Sequence, residues 1–167
     1  MFEQTLRDAA AQLLDAARGR GWHIATAESC TGGLIAGCLT AIAGSSDVVL
    51  CGFVTYDNGS KSRMLGVPPS LIERDGAVSE SVARAMAEGA CANSPAELSL
   101  ACTGIAGPGG GSAEKPVGRV HIAAAAEGRV LHLQRDYGEI GRDAVRAATV
   151  ADALALALRL AREPVTV

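Results

Sequence analysis

The stretch Trp22-His-Ile-Ala-Thr-Ala-Glu-Ser-Cys-Thr-Gly-Gly33 decides how this chain reads. Trp22 to Ala27 predicts a short strand, Thr31-Gly32-Gly33 a tight turn, and the apolar run from Leu34 to Ile42 a helix that closes at Gly44. Strand, turn and helix in succession place Ser29 at their junction. Upstream, Leu6, Ala10, Leu13, Leu14 and Ala17 recur at helical spacing and stop at Gly19 and Gly21, which predicts an amphipathic first helix with a glycine exit.

Downstream, Val48 to Tyr56 is rich in Val, Phe, Thr and Tyr and runs into Asp57-Asn58-Gly59, a strand entering a turn. Lys61 is expected to open a short helix that Gly66 and Pro68-Pro69 stop. Ser79 is placed to cap a helix from Glu80 to about Ala92, and Leu98 to Cys102 gives a third strand. Val120 to Ala126 and Val130 to Gln134, joined across Glu127-Gly128-Arg129, carry a hairpin signal. Arg142 to Arg162 is helical again, with Leu154, Leu156, Leu158 and Leu160 forming a wide apolar face suited to a core or a subunit contact. Strands that alternate with helices and then give way to a hairpin predict an α/β fold, a three-layer α/β/α sandwich with a mixed sheet.

The chain has 167 residues, which predicts one domain spanning 1–167, able to bury roughly 70% of its unfolded surface. Its residues are 49% hydrophobic but only 3% aromatic, with 20 glycines, a composition for helices packed closely on a sheet rather than for disorder. Fifteen Lys+Arg against 18 Asp+Glu give a net charge of -3, the wrong sign for nucleic acid or an anionic membrane, so any anion site must be local. The charges among residues 3–20 exclude a signal-peptide core, and the longest apolar tract, Ala153 to Leu158, is too short to span a bilayer. Five cysteines, none in a C-x-x-C pair, predict small core residues in a reducing cytoplasm rather than disulfides or a zinc site.

Glu28-Ser29-Cys30-Thr31-Gly32-Gly33 offers a hydroxyl and several backbone N–H groups at a helix start, half of an acyl-transfer site. A simple helix cap by Ser29 or Thr31 is the commoner meaning of the same residues taken alone, since caps outnumber nucleophiles, and Cys30 with the distant His23 is an alternative nucleophile and base. Lys61 follows a strand that could end beside Ser29. A neutral lysine can deprotonate a serine, provided burial or a nearby cation depresses its pKa; otherwise it is a solvated surface lysine. The stretch Thr103 to Gly118 is too glycine-rich for a regular element and matches neither standard nucleotide motif. Its glycines can form an anion-binding nest beside Arg142, or merely a structural loop.

Five segments then stand in order: Ala27-Glu-Ser-Cys-Thr-Gly-Gly33, Gly52-Phe-Val-Thr-Tyr-Asp-Asn58 with Lys61, Gly76-Ala-Val-Ser79, Thr103-Gly-Ile-Ala-Gly-Pro108 and Lys115-Pro-Val-Gly118. Together they resemble the CinA C-terminal domain family, from the first helix to about Arg162. The resemblance implies hydrolysis of the carboxamide of nicotinamide mononucleotide to nicotinic acid mononucleotide and ammonia, in pyridine nucleotide recycling, with no metal or organic cofactor. It implies Ser29 as nucleophile, Lys61 as its base and Tyr56 as a proton relay to ammonia. Backbone N–H groups of Cys30, Thr31, Gly32 and Gly33 would hold the oxyanion, while Thr103, Gly104, Gly107, Gly109 and Arg142 would hold the substrate phosphate.

Two departures carry expectations. Larger members of the family have an extra N-terminal hydrolase domain that this sequence does not show, and Gly59-Ser60 before Lys61 should loosen the lysine's placement. The competing expectation is a non-catalytic module that binds a phosphorylated ligand or a partner protein. The apolar last helix adds an expectation of a homo-oligomer.

Overall fold

The computed structural model describes residues 1–163. Helix α1 (Gln4–Arg20) buries Ala10, Leu13, Leu14 and Ala17 and turns out through Gly21 at φ 67°, as its spacing predicts. Strand β1 (Ile24–Glu28) follows, buried at every residue, and α2 (Leu34–Thr40) leads to β2 (Val49–Val54). Then come α3 (Asn58–Leu65), α4 (Pro69–Asp75) and α5 (Glu80–Ala92), and β3 (Leu98–Gly104) returns to the sheet. The antiparallel hairpin β4 (Arg119–Ala126) and β5 (Arg129–Asp136) precedes α6 (Arg142–Arg162).

The five strands form one sheet in the order β2-β1-β3-β4-β5, with β1 parallel to both neighbours and the hairpin antiparallel. The expected mixed sheet and α/β/α layering are therefore present. Helices α1, α2 and α6 cover one face, around Leu13, Leu14, Ile24, Ile35, Leu100, Ile122 and Leu154. Helices α3, α4 and α5 cover the other, where Val82, Met86 and Ile72 meet the alanines of β1, β3 and β4. A strand covered on both faces has no polar side to show, which is why β1 does not alternate.

Four local differences from the sequence reading have physical reasons. Strand β1 runs on to Glu28 because helix donors meet its carboxylate. Helix α3 starts three residues before Lys61, because the Asp57 carboxylate accepts from the Ser60 N–H and caps it earlier. Pro68-Pro69, expected only as a stop, opens α4, since the first helical position needs no N–H. In α6, Leu154, Leu156 and Leu160 are buried against the sheet and α1, so the apolar face is consumed within the chain. No helix among the described residues is long and apolar enough to cross a membrane.

Candidate active site

Glu28 ends β1 fully buried, and a buried carboxylate is tolerable only when donors surround it. Thr31 Oγ1 donates to it at 2.6 Å, Thr26 Oγ1 at 3.2 Å, and the backbone N–H groups of Gly33, Ile35 and Ala36 at 3.1, 2.9 and 2.9 Å. The free donors at the start of α2 are thus satisfied by a side chain from the preceding strand. This corrects the expected oxyanion cradle. The Gly33 N–H is taken by Glu28, the Gly32 N–H donates to the Ser29 carbonyl at 3.0 Å, and the Thr31 hydroxyl is turned to Glu28. It also corrects the cap reading, since neither Ser29 nor Thr31 caps α2.

What Glu28 leaves at the strand end is Ser29. The Ser29 N–H donates to the Cys102 carbonyl at 3.1 Å, and the Thr55 N–H to the Glu28 carbonyl at 2.8 Å, so the ends of β3, β1 and β2 are tied side by side. From beyond β2, Lys61 reaches back. It is 1% exposed, and its Nζ donates to Ser29 Oγ at 3.1 Å and to the Thr55 carbonyl at 2.8 Å. Neither partner is a carboxylate, and burial pushes the Lys61 ammonium down from its ordinary value of 10.5 against the pull of Asp57. The expected loosening by Gly59-Ser60 does not occur: both residues lie inside α3, held by the Asp57 cap.

A cavity of about 220 Å³ opens here, lined by Ser29, Cys30, Tyr56, Asn58, Lys61, Ala77, Val78, Thr103, Gly104, Ala106 and Arg142. A larger hollow of about 480 Å³ between α3 and α4 holds no such hydroxyl and amine pair. The expected residues Ser29, Lys61, Tyr56, Cys30, Thr103, Gly104 and Arg142 are thereby brought to one wall. Thr31, Gly32, Gly33, Gly107 and Gly109 are not among the lining residues. Arg142 Nη1 donates to the Gly107 carbonyl at 3.0 Å and Nη2 to Tyr56 Oη at 2.8 Å, so the glycine loop positions the arginine rather than lining the cavity itself. Thr103 Oγ1 donates to the Ala77 carbonyl at 2.9 Å, tying β3 to the segment before α5.

The thiol alternative lacks a base. His23 sits at the far end of β1, bonded to Glu97 through its backbone N–H and its ring, roughly 20 Å from Cys30 at strand spacing. Hydrogen bonding with Cys102 and burial push the Cys30 thiol well up, so it stays protonated. Glu28 and Arg146 were missed in the sequence. Glu28 had a signal, a carboxylate closing an apolar strand just before Gly-Gly; Arg146 had one too, lying one helical turn after Arg142 on the same face.

A sequence profile of the CinA C-terminal domain matches residues 6–161. The chain belongs to this family. CinA C-terminal domain relatives include a CinA-like protein of Synechococcus sp. (strain RCC307), 52% identical over 90% of this chain and 36% of its own length. The chain spans about a third of such long relatives. A protein of Enterobacter agglomerans named nicotinamide-nucleotide amidohydrolase PncC is 45% identical, over 95% of this chain and 97% of that protein. Among solved structures, the competence/damage inducible protein CihA from Agrobacterium tumefaciens superposes with a TM-score of 0.94 at 51% identity, covering 98% of this chain and 99% of its own. A CinA-superfamily protein of Escherichia coli superposes at 0.89 with 33% identity, over 96% and 94% of the two chains. The CinA C-terminal domain fold thus accounts for the whole architecture described above.

Proposed function

We propose that this chain hydrolyses the carboxamide of nicotinamide mononucleotide to nicotinic acid mononucleotide and ammonia, serving pyridine nucleotide recycling in the cytoplasm. The observation that carries the reading is the Lys61 amine, buried, free of any carboxylate and 3.1 Å from the Ser29 hydroxyl. The substrate is taken from the name of the similar Enterobacter protein.

In this reading Lys61 Nζ accepts the Ser29 proton as Oγ attacks the carboxamide carbon. Cys30 follows the nucleophile and lines the cavity, and in this reading its N–H holds the developing oxyanion. Tyr56 Oη accepts a hydrogen bond from Arg142, which leaves the phenol's own proton to pass to the departing nitrogen; the proton Lys61 took from Ser29 then restores the phenol, so that one proton in all reaches the nitrogen and ammonia leaves. Water then attacks the acyl-Ser29 ester, with Lys61 again as base, and releases the acid. A cavity of about 220 Å³ suits the pyridine ring and its amide, smaller than the roughly 300 Å³ minimum typical of whole ligand pockets. Ribose and phosphate therefore extend to the mouth, where Arg142 keeps N–H donors beyond its two internal bonds.

Ammonia release from nicotinamide mononucleotide tests the proposal. Wild type should turn over, and Ser29→Ala and Lys61→Ala should each lose on the order of 10² to 10⁴ in kcat. Activity retained in Ser29→Ala but lost in Cys30→Ala would move the nucleophile to the thiol, and binding without ammonia release would reduce the chain to a binding module.

A further inference from the structure

Arg146 lies on α6, one turn beyond Arg142, and does not line the cavity. Its guanidinium nevertheless reaches the loop behind Ser29, where Nη2 donates to the Thr31 carbonyl at 2.9 Å. The peptide unit that carries this carbonyl also carries the Gly32 N–H, which donates to the Ser29 carbonyl at 3.0 Å. The next unit joins Ser29 to Cys30. It is trans, so its N–H points opposite to its carbonyl, away from Gly32. Two peptide groups thus stand in series between a cation and the Cys30 N–H. Such a series polarises along its length, each bond strengthening the next by roughly 10–30%.

The charge at its head is poorly neutralised. Arg146 Nε is buried with no hydrogen-bond partner among the described residues, and the fully exposed Asp143 carboxylate is 3.9 Å from Nη1. On the other side the Thr31 hydroxyl is bonded to Glu28 at 2.6 Å, which anchors the residue that heads the first peptide unit. Gly32, at φ 61°, lies under the guanidinium: a Cβ there would sit 3.7 Å from Nη2.

We propose that Arg146 is a positioning residue for the acyl-transfer step, which orients and polarises the Cys30 N–H through the Thr31–Gly32 and Ser29–Cys30 peptide groups, with Glu28 holding the hinge. This rests on the serine amidohydrolase reading. The cation acts at a distance of two peptides, and its effect belongs to the transition state, where the carbonyl oxygen gains charge.

The test compares Arg146→Met and Arg146→Lys with wild type in three measurements: ammonia release from nicotinamide mononucleotide, the rate at which a fluorophosphonate labels Ser29 by intact mass, and the thermal midpoint. Loss of a whole oxyanion donor costs about 10² to 10³ in kcat, so weakening and misaiming one should cost about tenfold or more. Arg146→Met should lower kcat and the labelling rate together by that factor, with KM within about twofold and the acid limb of the pH profile unmoved. Arg146→Lys should recover part of the loss, because an ammonium can still donate to Thr31. Rates within twofold of wild type in folded Arg146→Met would overturn the proposal, as would a loss that only tracks the fraction of unfolded protein. Should wild type release no ammonia yet label at Ser29, the substrate reading fails and the labelling comparison alone decides the role of Arg146. Wild type that does not label would overturn both.

Discussion

At the scale of single residues, the molecule keeps a lysine where a lysine is costly. Burial lowers its pKa, so between that value and 10.5 the folded chain binds fewer protons than the unfolded chain. The stability cost is therefore complete below the folded value, shrinks as pH rises through it and is gone above 10.5. Removing the charge forfeits hydrogen bonds to the Thr55 carbonyl and to Ser29 Oγ, about 1 kcal/mol each, against a desolvation penalty of several kcal/mol. Lys61→Met should thus melt at or above wild type at pH 7, with the advantage fading towards pH 10.5, while its ammonia release collapses and its acid limb disappears. A thermal unfolding series across that pH range decides it; a variant several degrees less stable at pH 7, with a gap indifferent to pH, would show that the lysine is structural. Ser29 and Lys61 were legible in the sequence as a hydroxyl at a turn and an amine after a strand. Their satisfaction was not, because the carboxylate that takes the helix donors is a neighbour in sequence whose side-chain direction only the packed strand determines.

At the scale of elements, the precision of the Ser29–Lys61 contact depends on how closely α3 lies on α5. Gly89 of α5 is the point of approach: a Cβ there would overlap the Leu65 carbonyl, and Leu65 is one turn beyond Lys61 on the buried face of α3. Alanine should favour the helix by about 1 kcal/mol, but forcing backbone out of a packed interface costs roughly 1–3 kcal/mol, so the clash wins. Gly89→Ala is expected to lose stability by about that margin. Because a shift of about 1 Å in a reacting group can cost on the order of 10²-fold, activity should fall with it. A more stable and fully active Gly89→Ala would mean that α3 is free to adjust. Helix periodicities and the hairpin were readable, since apolar spacing and turn residues are local properties. Helix α4 was not, because Pro68-Pro69 signals a break whether a helix ends before it or begins at it.

At the scale of the whole molecule, the site exists because β1 lies between β2 and β3, so that the chain leaves it through α2 on one face and returns through α3, α4 and α5 on the other. Ligands in such sheets lie beyond the carboxyl ends of the strands where the winding changes direction. Ser29 stands at that end of β1, Thr55 and Tyr56 follow β2, and Thr103 and Gly104 finish β3. Strand order is a long-range property that no window of the sequence carries, so the residues alone offered Lys61 beside Ser29 and the glycine loop beside Arg142 as separate pairings, and only family resemblance joined residues 29, 61, 103 and 142 into one site. A nucleotide bridging these ends should stabilise all of them at once. Ser29→Ala, which cannot form the ester, allows the measurement with nicotinamide mononucleotide itself. At about 100 times its Kd the ligand contributes about 2.7 kcal/mol, or roughly 5–10 °C of thermal midpoint for a chain of this size. Nicotinamide riboside at the same concentration should give a much smaller rise, and adding Arg142→Ala should bring the nucleotide down to the riboside's level. Equal shifts for nucleotide and riboside, or an undiminished shift without Arg142, would place the phosphate away from α6.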